Sequence, residues 1–340
     1  MTILSLYKVG IISNDLNSSV FTEMANPPYN AKRNIHYYLN EYQHHFDLIV
    51  VFGDLPNDFG IIKTKLSLFI SGEPPSIKSY NNRFLNQFDS IISVDTMIKH
   101  KDHIFTHPGL PWHVEKSYAD LIKINDINKT RDILLISSDK LYSKGHLRRL
   151  KLCCKLMKTF GDKIDFYGRG INSFSDKYRL LSKYRYCIAI ENDTILHYFT
   201  EKIKDSFLAR AIPIYVGATN IQSYYSKDAM YVSSYSEYQD IVTIIAKILE
   251  DSITSYQAMA SHLENAVTST LNHYTMFNQI EFYINSKVNQ IALSPYRDIR
   301  FKKHKPAYYS EIMKAIKRKY FNLAGYKYIK CLSQFVPNEA

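Results

Sequence analysis

Residues 191–217 read ENDTILHYFTEKIKDSFLARAIPIYVG, and this stretch decides the fold of the chain. The apolar run at 186–191 predicts a strand that leads into a polar loop. A helix is predicted over 200–210, and the β-rich run at 212–217 predicts the next strand. Strand–helix–strand units of this kind are typical of α/β proteins with parallel sheets.

The same alternation extends in both directions from this stretch. The predicted strands cover residues 8–13, 46–52, 65–71 and 88–94, then, after a polar joint, 133–138, 163–167, 186–191, 212–217 and 230–233. The predicted helices cover residues 31–45, 146–160, 200–210, 236–250 and 255–271. We therefore expect two Rossmann-like domains with parallel sheets facing a cleft, at 1–127 and 128–296, followed by a basic tail at 297–340.

Thr200, Glu201 and Lys202 begin the helix of the opening stretch, just after a strand. A helix N-terminus offers unpaired N–H groups and partial positive charge, which suit a phosphate or diphosphate. Lys202 would add a full positive charge, and Glu201 could accept hydrogen bonds from ribose hydroxyls. The alternative is a structural one, in which Thr200 is an N-cap and Glu201 complements the helix dipole.

Two further side chains could carry chemistry. Glu73 lies in the sequence Ser-Gly-Glu-Pro-Pro after a predicted strand, where a proline-stiffened turn could hold a general base. Arg149 lies near the start of the helix predicted at 146–160, and Arg148 lies about 100° around that helix. We expect one of the two arginines to lie at a site. The alternative for Glu73 is a solvated acid on a turn, and the alternative for the arginines is that both are solvated on the surface.

The composition predicts neither a metal site nor a disulfide framework. No acidic pair follows a strand, and the histidines at 103, 107 and 113 share no helical face. The four cysteines match neither a zinc spacing nor a disulfide pattern, which predicts free, buried thiols in a reducing compartment. No secretory leader and no long apolar run is visible, so we expect a cytoplasmic protein.

The opening stretch resembles the signature of glycosyltransferase family 10, the α1,3/α1,4-fucosyltransferases, in its bacterial form. That signature reads roughly E-N-S-x4-Y-x-T-E-K, then a helix, then a-x-P-(V/I)-x-x-G. The chain departs from it at Asp193, where serine is usual. The matching residues are Glu191, Asn192, Tyr198, Thr200, Glu201, Lys202, Pro213 and Gly217.

Weaker similarities flank the signature. Residues 72–75 resemble the family's glutamate motif, and residues 149–156 and 164–169 resemble its arginine helix and the strand after it. The resemblance implies a GT-B fold in which the first domain holds the acceptor and the second holds GDP-fucose. It also implies inversion at the anomeric carbon with no cofactor and no obligatory metal.

Carried over by position, the resemblance gives each candidate residue a role. Glu73 would be the general base on the acceptor hydroxyl, while Arg149 and Lys202 would hold the donor diphosphate. Glu201 and Tyr198 would orient the nucleotide sugar, and Asn192 would support the same pocket.

The positive charge of the chain is concentrated near its C-terminus. Residues 297–330 contain eleven Lys and Arg against two acids, a net +9 of the chain's total +11. Basic amphipathic helices with aromatics fit an anionic membrane surface, here the inner face of a bacterial membrane. The alternatives are a helix packed on the body with a solvated basic face, and nucleic-acid binding, which no module supports. The apolar stripe consists of Tyr309, Ile312, Met313, Ile316, Tyr320 and Leu323.

The functional expectation is therefore an inverting transfer of L-fucose from GDP-fucose to a glycan hydroxyl. An α1,3 linkage on a cell-surface polysaccharide or lipopolysaccharide is expected. The alternatives are another GDP-6-deoxyhexose donor, a glycoside hydrolase that uses Glu73 and Glu201 as a carboxylate pair, and a non-catalytic membrane or nucleic-acid-binding module.

Overall fold

The computed structural model describes residues 6–16, 34–124, 127–306 and 308–336. Its contacts divide the chain into two compact units. The first unit comprises Met1–Pro111, Ser117–Ile122 and Asn272–Pro306, and the second comprises Trp112–Lys116, Lys123–Leu271 and Ala307–Ala340. This division differs from the predicted one, because residues 272–296 belong to the first unit and residues 297–340 are shared between the two.

The strands, in chain order, are β1 (Tyr7–Ile12), β2 (Ile35–Leu39), β3 (His45–Phe52), β4 (Ile62–Ile70), β5 (Ser90–Ser93), β6 (His103–Phe105), β7 (Arg131–Ile136), β8 (Asp165–Tyr167), β9 (Tyr184–Ile190), β10 (Ile212–Val216), β11 (Tyr231–Ser233) and β12 (Arg297–Ile299). The α-helices are α1 (Asn82–Leu85), α2 (Tyr118–Leu121), α3 (Lys144–Phe160), α4 (Lys177–Leu181), α5 (Glu201–Leu208), α6 (Tyr238–Glu250), α7 (Ser252–Ala258), α8 (Ala260–His273), α9 (Met276–Ser286), α10 (Val288–Leu293) and α11 (Tyr308–Ser333). Both lists cover the described residues only.

The sheet of the first unit has the strand order β2-β1-β3-β4-β5-β6, and these strands run parallel. Strand β12 pairs antiparallel with the start of β4. The central strands are buried almost without interruption, as expected for a parallel sheet covered on both faces. The four strands predicted in the first half of the chain are confirmed.

The helix predicted over residues 31–45 is wrong where the structure describes it. Residues 35–39 form β2, which pairs with β1 at the edge of the sheet, and His45 already belongs to β3. Ile35 and Tyr37 are buried while His36 is exposed, so the segment follows a two-residue period. β-Branched and aromatic residues fit such a half-buried strand better than a helix. Residues 31–33 lie outside the described residues.

Part of the predicted tail completes the core of the first unit. Phe301 is 3% exposed and stacks on Phe88, with 4.9 Å between the ring centroids. Phe88 in turn packs against Phe69 and Phe84 in the aromatic core. Residues 297–306 are therefore an integral part of this unit rather than an appendage.

The sheet of the second unit has the order β11-β10-β9-β7-β8, with all described pairs parallel. All five strands predicted in this half are confirmed. Ile190 at the end of β9 pairs with Val216 at the end of β10, so the loops that leave these strands begin side by side. In open α/β sheets this carboxyl edge is where ligands bind.

Helix α11 packs along α3 in the second unit, and a disulfide joins Cys154 of α3 to Cys331 of α11. The prediction of four free thiols is therefore wrong for Cys154 and Cys331, which are 177 residues apart in sequence. Cys153 and Cys187 are free and buried, as expected. Gly325 of α11 lies against the segment that precedes α3, because a Cβ there would lie 2.4 Å from Leu141 Cδ1.

The described helices include none that combines the length and the apolar character needed to span a bilayer.

Candidate functional site

Glu191 directly follows β9 and is the centre of the candidate site. Its backbone N–H continues the sheet ladder by donating to the Val216 carbonyl, at 2.8 Å. Its side chain is fully buried, and its carboxylate accepts from the Thr200 N–H and the Thr200 hydroxyl, both at 2.8 Å. A Cβ on Gly217 would lie 2.7 Å from Glu191 Cγ, so glycine leaves room for this side chain. The carboxylate thus ties the loop after β9 to the start of α5.

Thr200 is the N-cap of α5, as the structural alternative proposed. Its backbone is extended, and its Oγ1 accepts from the Lys202 N–H at 3.4 Å. The same oxygen also accepts from Lys202 Nζ at 2.9 Å, while its proton goes to Glu191. The cap therefore fixes the lysine side chain as well as the helix.

Lys202 lies between two carboxylates at this helix N-terminus. Its Nζ is 3.1 Å from Glu191 Oε2 and 3.2 Å from Glu201 Oε1. The side chains of Lys202 and Glu201 are about one-fifth exposed, whereas that of Glu191 is inaccessible. The lysine side chain can therefore contact a ligand while the buried Glu191 carboxylate holds it in position.

The pKa values of these groups follow from burial and from the shared ammonium. Burial raises the pKa of Glu191 against the opposing effect of Lys202. Burial alone would raise the pKa of Glu201, but Lys202, with His113 and Lys177, holds it well below its usual range. Burial alone would lower the pKa of Lys202, but Glu191 and Glu201 raise it. At neutral pH the lysine is a cation and Glu201 an anion.

Arg149 joins this cluster from α3. One terminal nitrogen donates to Asn192 Oδ1 at 2.5 Å, and the other donates to the Ser138 carbonyl at 3.0 Å. The residue is 3% exposed. Gly145 lets the first turn of α3 touch the loop after β9, because a Cβ there would lie 1.8 Å from the Asn192 carbonyl oxygen. The structure thus brings Arg149 and Asn192 into contact.

The rest of the loop after β9 is held by polar side chains of the loop itself and of the segment after β10. Asp193, which replaces the usual serine, accepts a hydrogen bond from the Thr194 N–H at 2.7 Å. His197 has a positive φ of 66°, and its N–H donates to Asn220 Oδ1 at 2.8 Å. Tyr198 is 3% exposed, so its side chain lies inside the second unit beneath the loop.

Glu73 belongs to the first unit and follows β4. It is exposed, and the Ser71 hydroxyl donates to its backbone carbonyl at 3.1 Å. The Pro74 carbonyl accepts from the Ile77 and Lys78 N–H groups at 2.9 and 3.0 Å, which closes the proline turn. Glu73 is thus an accessible carboxylate on a hydrogen-bonded turn at the carboxyl edge of its sheet.

Sequence reasoning left three residues at the second-unit site without a role. Glu191 belongs to the matched stretch but was assigned no function, and Arg148 was considered only as the neighbour of Arg149. No sequence pattern indicated Tyr235. Its hydroxyl donates to the Glu191 carbonyl at 2.5 Å, and the Arg148 guanidinium stacks on its ring. A contact between residues 44 positions apart cannot be read from local pattern.

The second unit therefore gathers cations and carboxylates around a helix N-terminus. Fixed cations of this kind can bind a diphosphate and stabilise negative charge that develops on it. Glu201 can accept hydrogen bonds from hydroxyl groups. Among the described His, Cys, Asp and Glu residues, no group of three is placed to hold a metal ion.

Comparison with known proteins agrees with this chemistry. Residues 127–284 match the model of the glycosyltransferase family 10 (fucosyltransferase) C-terminal domain. A fucosyltransferase-like protein of Arabidopsis thaliana is 38% identical over 79 residues, which are 22% of this chain and 15% of that protein. Alpha-(1,3)-fucosyltransferase B of Drosophila melanogaster is 31% identical over 104 residues, which are 30% of this chain and 23% of that protein. The matched stretches thus span less than a quarter of either relative.

Solved structures extend the similarity to both units. A crystal structure of an α1,3-fucosyltransferase with GDP has a TM-score of 0.50 and 16% identity, and the match covers 81% of this chain and 93% of that one. This similarity in fold confirms the predicted GT-B class, with two parallel-sheet α/β units. The family-model match over residues 127–284, together with the loop after β9, shows that the second unit is similar to glycosyltransferase family 10, the fucosyltransferase family.

Proposed function

We propose that this protein transfers L-fucose from GDP-fucose to a hydroxyl group of a glycan, with inversion at the anomeric carbon. The observation that carries the proposal is the Lys202 ammonium at the N-terminus of α5, which is held by Glu191 on a side chain that is 20% exposed. The similar α1,3-fucosyltransferase whose crystal structure contains GDP supports this choice of donor. An α1,3 linkage on a cell-surface polysaccharide or lipopolysaccharide is proposed on the same family grounds.

In the proposed donor site, Lys202 and Arg149 hold the diphosphate. As the bond from the sugar to the diphosphate breaks, negative charge grows on the leaving oxygen and positive charge grows on the sugar. Cations fixed before the reaction stabilise that leaving group without reorganisation, and no metal ion is needed. Glu201 accepts hydrogen bonds from the ribose, while Asn192 and Tyr198 shape the same pocket.

In the proposed acceptor step, Glu73 removes the proton of the attacking hydroxyl. Inversion needs one base, because the acceptor oxygen attacks the anomeric carbon opposite the leaving diphosphate. An accessible carboxylate on a stiff turn suits that role, since a general base must reach a hydroxyl within hydrogen-bond distance.

The proposal is tested by incubating the protein with a panel of GDP-sugars and galactosyl or N-acetylglucosaminyl acceptors, with GDP release as the measurement. GDP-fucose should support transfer, and Lys202→Met should reduce kcat/KM by about 100-fold or more. The surface variant Lys158→Met on α3 serves as a charge-matched control. If another GDP-6-deoxyhexose supports transfer and GDP-fucose does not, the donor assignment fails.

We also propose that the protein is cytoplasmic and associates peripherally with an anionic membrane surface through α11. The apolar side chains of this helix remain exposed although α11 packs on α3, and lysines flank them. Such a stripe fits the interface of an anionic bilayer. The exposed fractions are 40% for Ile312, 56% for Ile316, 64% for Tyr320, 82% for Leu323 and 66% for Tyr326.

A further inference from the structure

Arg148 is held at the edge of the donor cluster by an aromatic ring. Its guanidinium carbon lies 3.9 Å from the ring centroid of Tyr235, which is within the range of a cation–π contact. The Tyr235 hydroxyl donates to the Glu191 carbonyl, so the ring is anchored on the residue that holds Lys202. The arginine is therefore fixed relative to the site rather than free in solvent.

One hydrogen-bonding group of Arg148 has no partner in the protein. Its Nε is buried without a hydrogen-bond partner, and none of the described residues forms an ion pair with its guanidinium. A stacked guanidinium is restricted in orientation, and its N–H groups point outward in the plane of the stack. Because Nε is inaccessible, an acceptor supplied by a ligand would have to meet the terminal N–H groups of this guanidinium.

Its neighbour Arg149 is held more tightly by the protein. Each terminal nitrogen of Arg149 donates a hydrogen bond, to Asn192 and to Ser138, although its Nε is also buried without a partner, and the residue is 3% exposed. Arg148 is the more exposed of the two adjacent arginines, and none of the described residues accepts a hydrogen bond from its terminal N–H groups.

The ring that supports Arg148 lies near other charges of the site, because burial raises the pKa of Tyr235 and the charges of Arg148, Arg149 and Glu191 also act on it. His146, two residues earlier on α3, has its pKa lowered to about 3 by burial and by the charges of Arg149 and Lys202. The first turns of α3 are thus within electrostatic range of the α5 N-terminus. A ligand that bridges these two helix starts would need negative charge at both ends, as a diphosphate has.

We infer that Arg148, stacked on Tyr235, is a further contact to the donor diphosphate and donates to its oxygens alongside Lys202. This inference rests on the proposed GDP-sugar site and adds to it a residue and a supporting ring. The planar guanidinium suits a bidentate contact with phosphate oxygens, which a lysine at the same position could not reproduce.

The test is calorimetric titration of the full-length protein with GDP, GMP and guanosine. Arg148→Gln should weaken GDP binding by about tenfold or more and guanosine binding by less than about twofold. Arg148→Lys should recover only part of the loss, and Tyr235→Leu should weaken GDP binding while Tyr235→Phe, which keeps the ring, does so less. Arg179→Gln, an exposed arginine of α4, is the charge-matched control and should leave all three affinities unchanged.

Two results would overturn the inference. One is GDP affinity of Arg148→Gln within twofold of the wild type. The other is an equal loss for GDP and guanosine, which would indicate a purely structural role. Failure of the proposed function would look different, because the wild type itself would then bind another nucleoside diphosphate in preference to GDP. Circular dichroism and thermal unfolding establish that each variant is folded.

Discussion

The ammonium of Lys202 lies 3.1 Å from the carboxylate of Glu191, which is inaccessible to solvent beneath the start of α5. Glu191 also accepts two hydrogen bonds from Thr200, the N-cap of that helix. One carboxylate thus orients the helix start and the cation that projects from it. Removing the charge of Glu191 should change the pKa of Lys202 more than it changes the stability of the fold.

Glu191→Gln should keep an acceptor for Thr200 but withdraw the charge that raises the pKa of Lys202. Burial of Lys202 then acts with less opposition, so its pKa falls and the alkaline limit of kcat/KM moves to lower pH. We expect kcat to fall by about 10- to 100-fold. The pH–rate profile measures this, with Glu264→Gln, an exposed acid of the same unit, as the control. An unchanged alkaline limit would show that Glu191 does not set the charge of Lys202.

Glu73→Gln should abolish transfer while leaving donor binding intact, because Glu73 lies in the first unit and the donor residues lie in the second. Loss of a general base typically costs about 10²- to 10⁴-fold in rate. Transfer kinetics and GDP titration measure the two effects separately. Asp58→Asn, another exposed acid of the first unit, is the control. Activity of Glu73→Gln near the wild-type level would assign the base to another residue.

His146 predicts acid sensitivity of the fold. It is 4% exposed, it contacts the Ser143 hydroxyl at 2.8 Å, and burial lowers its pKa to about 3. The unfolded chain binds this proton near pH 6.5 and the folded chain does not, so stability falls as the pH drops from 6.5 towards 3. Between pH 6.5 and 4.5 the free energy of unfolding should fall by about 2 to 3 kcal/mol less in His146→Gln than in the wild type. Urea unfolding at several pH values measures it; parallel pH curves for the two proteins would contradict the assignment.

The exposed stripe of α11 predicts binding to anionic vesicles. Ile316→Ser combined with Leu323→Ser should reduce co-sedimentation with phosphatidylglycerol vesicles by about tenfold, while transfer to a soluble acceptor is unchanged. Leu293→Ser, which removes an 85% exposed leucine of α10, is the matched control. Point substitutions are preferable to deletion of residues 297–340, because deletion would also remove Phe301 and β12. Equal sedimentation of the double variant and the wild type would exclude the stripe as the contact.

The Cys154–Cys331 disulfide predicts a redox-dependent stability of the second unit. Reduction, or Cys331→Ser, should lower the free energy of unfolding by about 2 to 4 kcal/mol. Thermal unfolding with and without dithiothreitol measures this. The reductant should have no further effect on Cys331→Ser, and any sensitivity in that variant would have to come from another source.

Local pattern predicted most of the strands because buried parallel strands are continuous apolar runs bounded by turns. It failed at β2, where Tyr37 and Tyr38 suit either a helix or an edge strand and only pairing with β1 decides. It failed again at Cys154 and Cys331, because a disulfide depends on how α11 packs.

At the site, the motif around Thr200, Glu201 and Lys202 could be found because its residues are close in sequence. Arg149 and Asn192 could be linked only through the family resemblance, since 43 residues separate them. The contact of Tyr235 with Arg148 depends on where β11 ends in the folded sheet. No hydrophobic periodicity in the sequence predicts this contact.

The discontinuity of the first unit has a consequence for biosynthesis. Its core needs Phe301, and β4 acquires its β12 partner only from residues 297–299. During translation the long segment Lys123–Leu271, which belongs to the second unit, is made before those residues. The first unit can therefore complete its core only after most of the second unit has been made. The second unit in turn acquires α11 and the Cys154–Cys331 disulfide only from the residues that follow, so we expect both units to complete their folding late in synthesis.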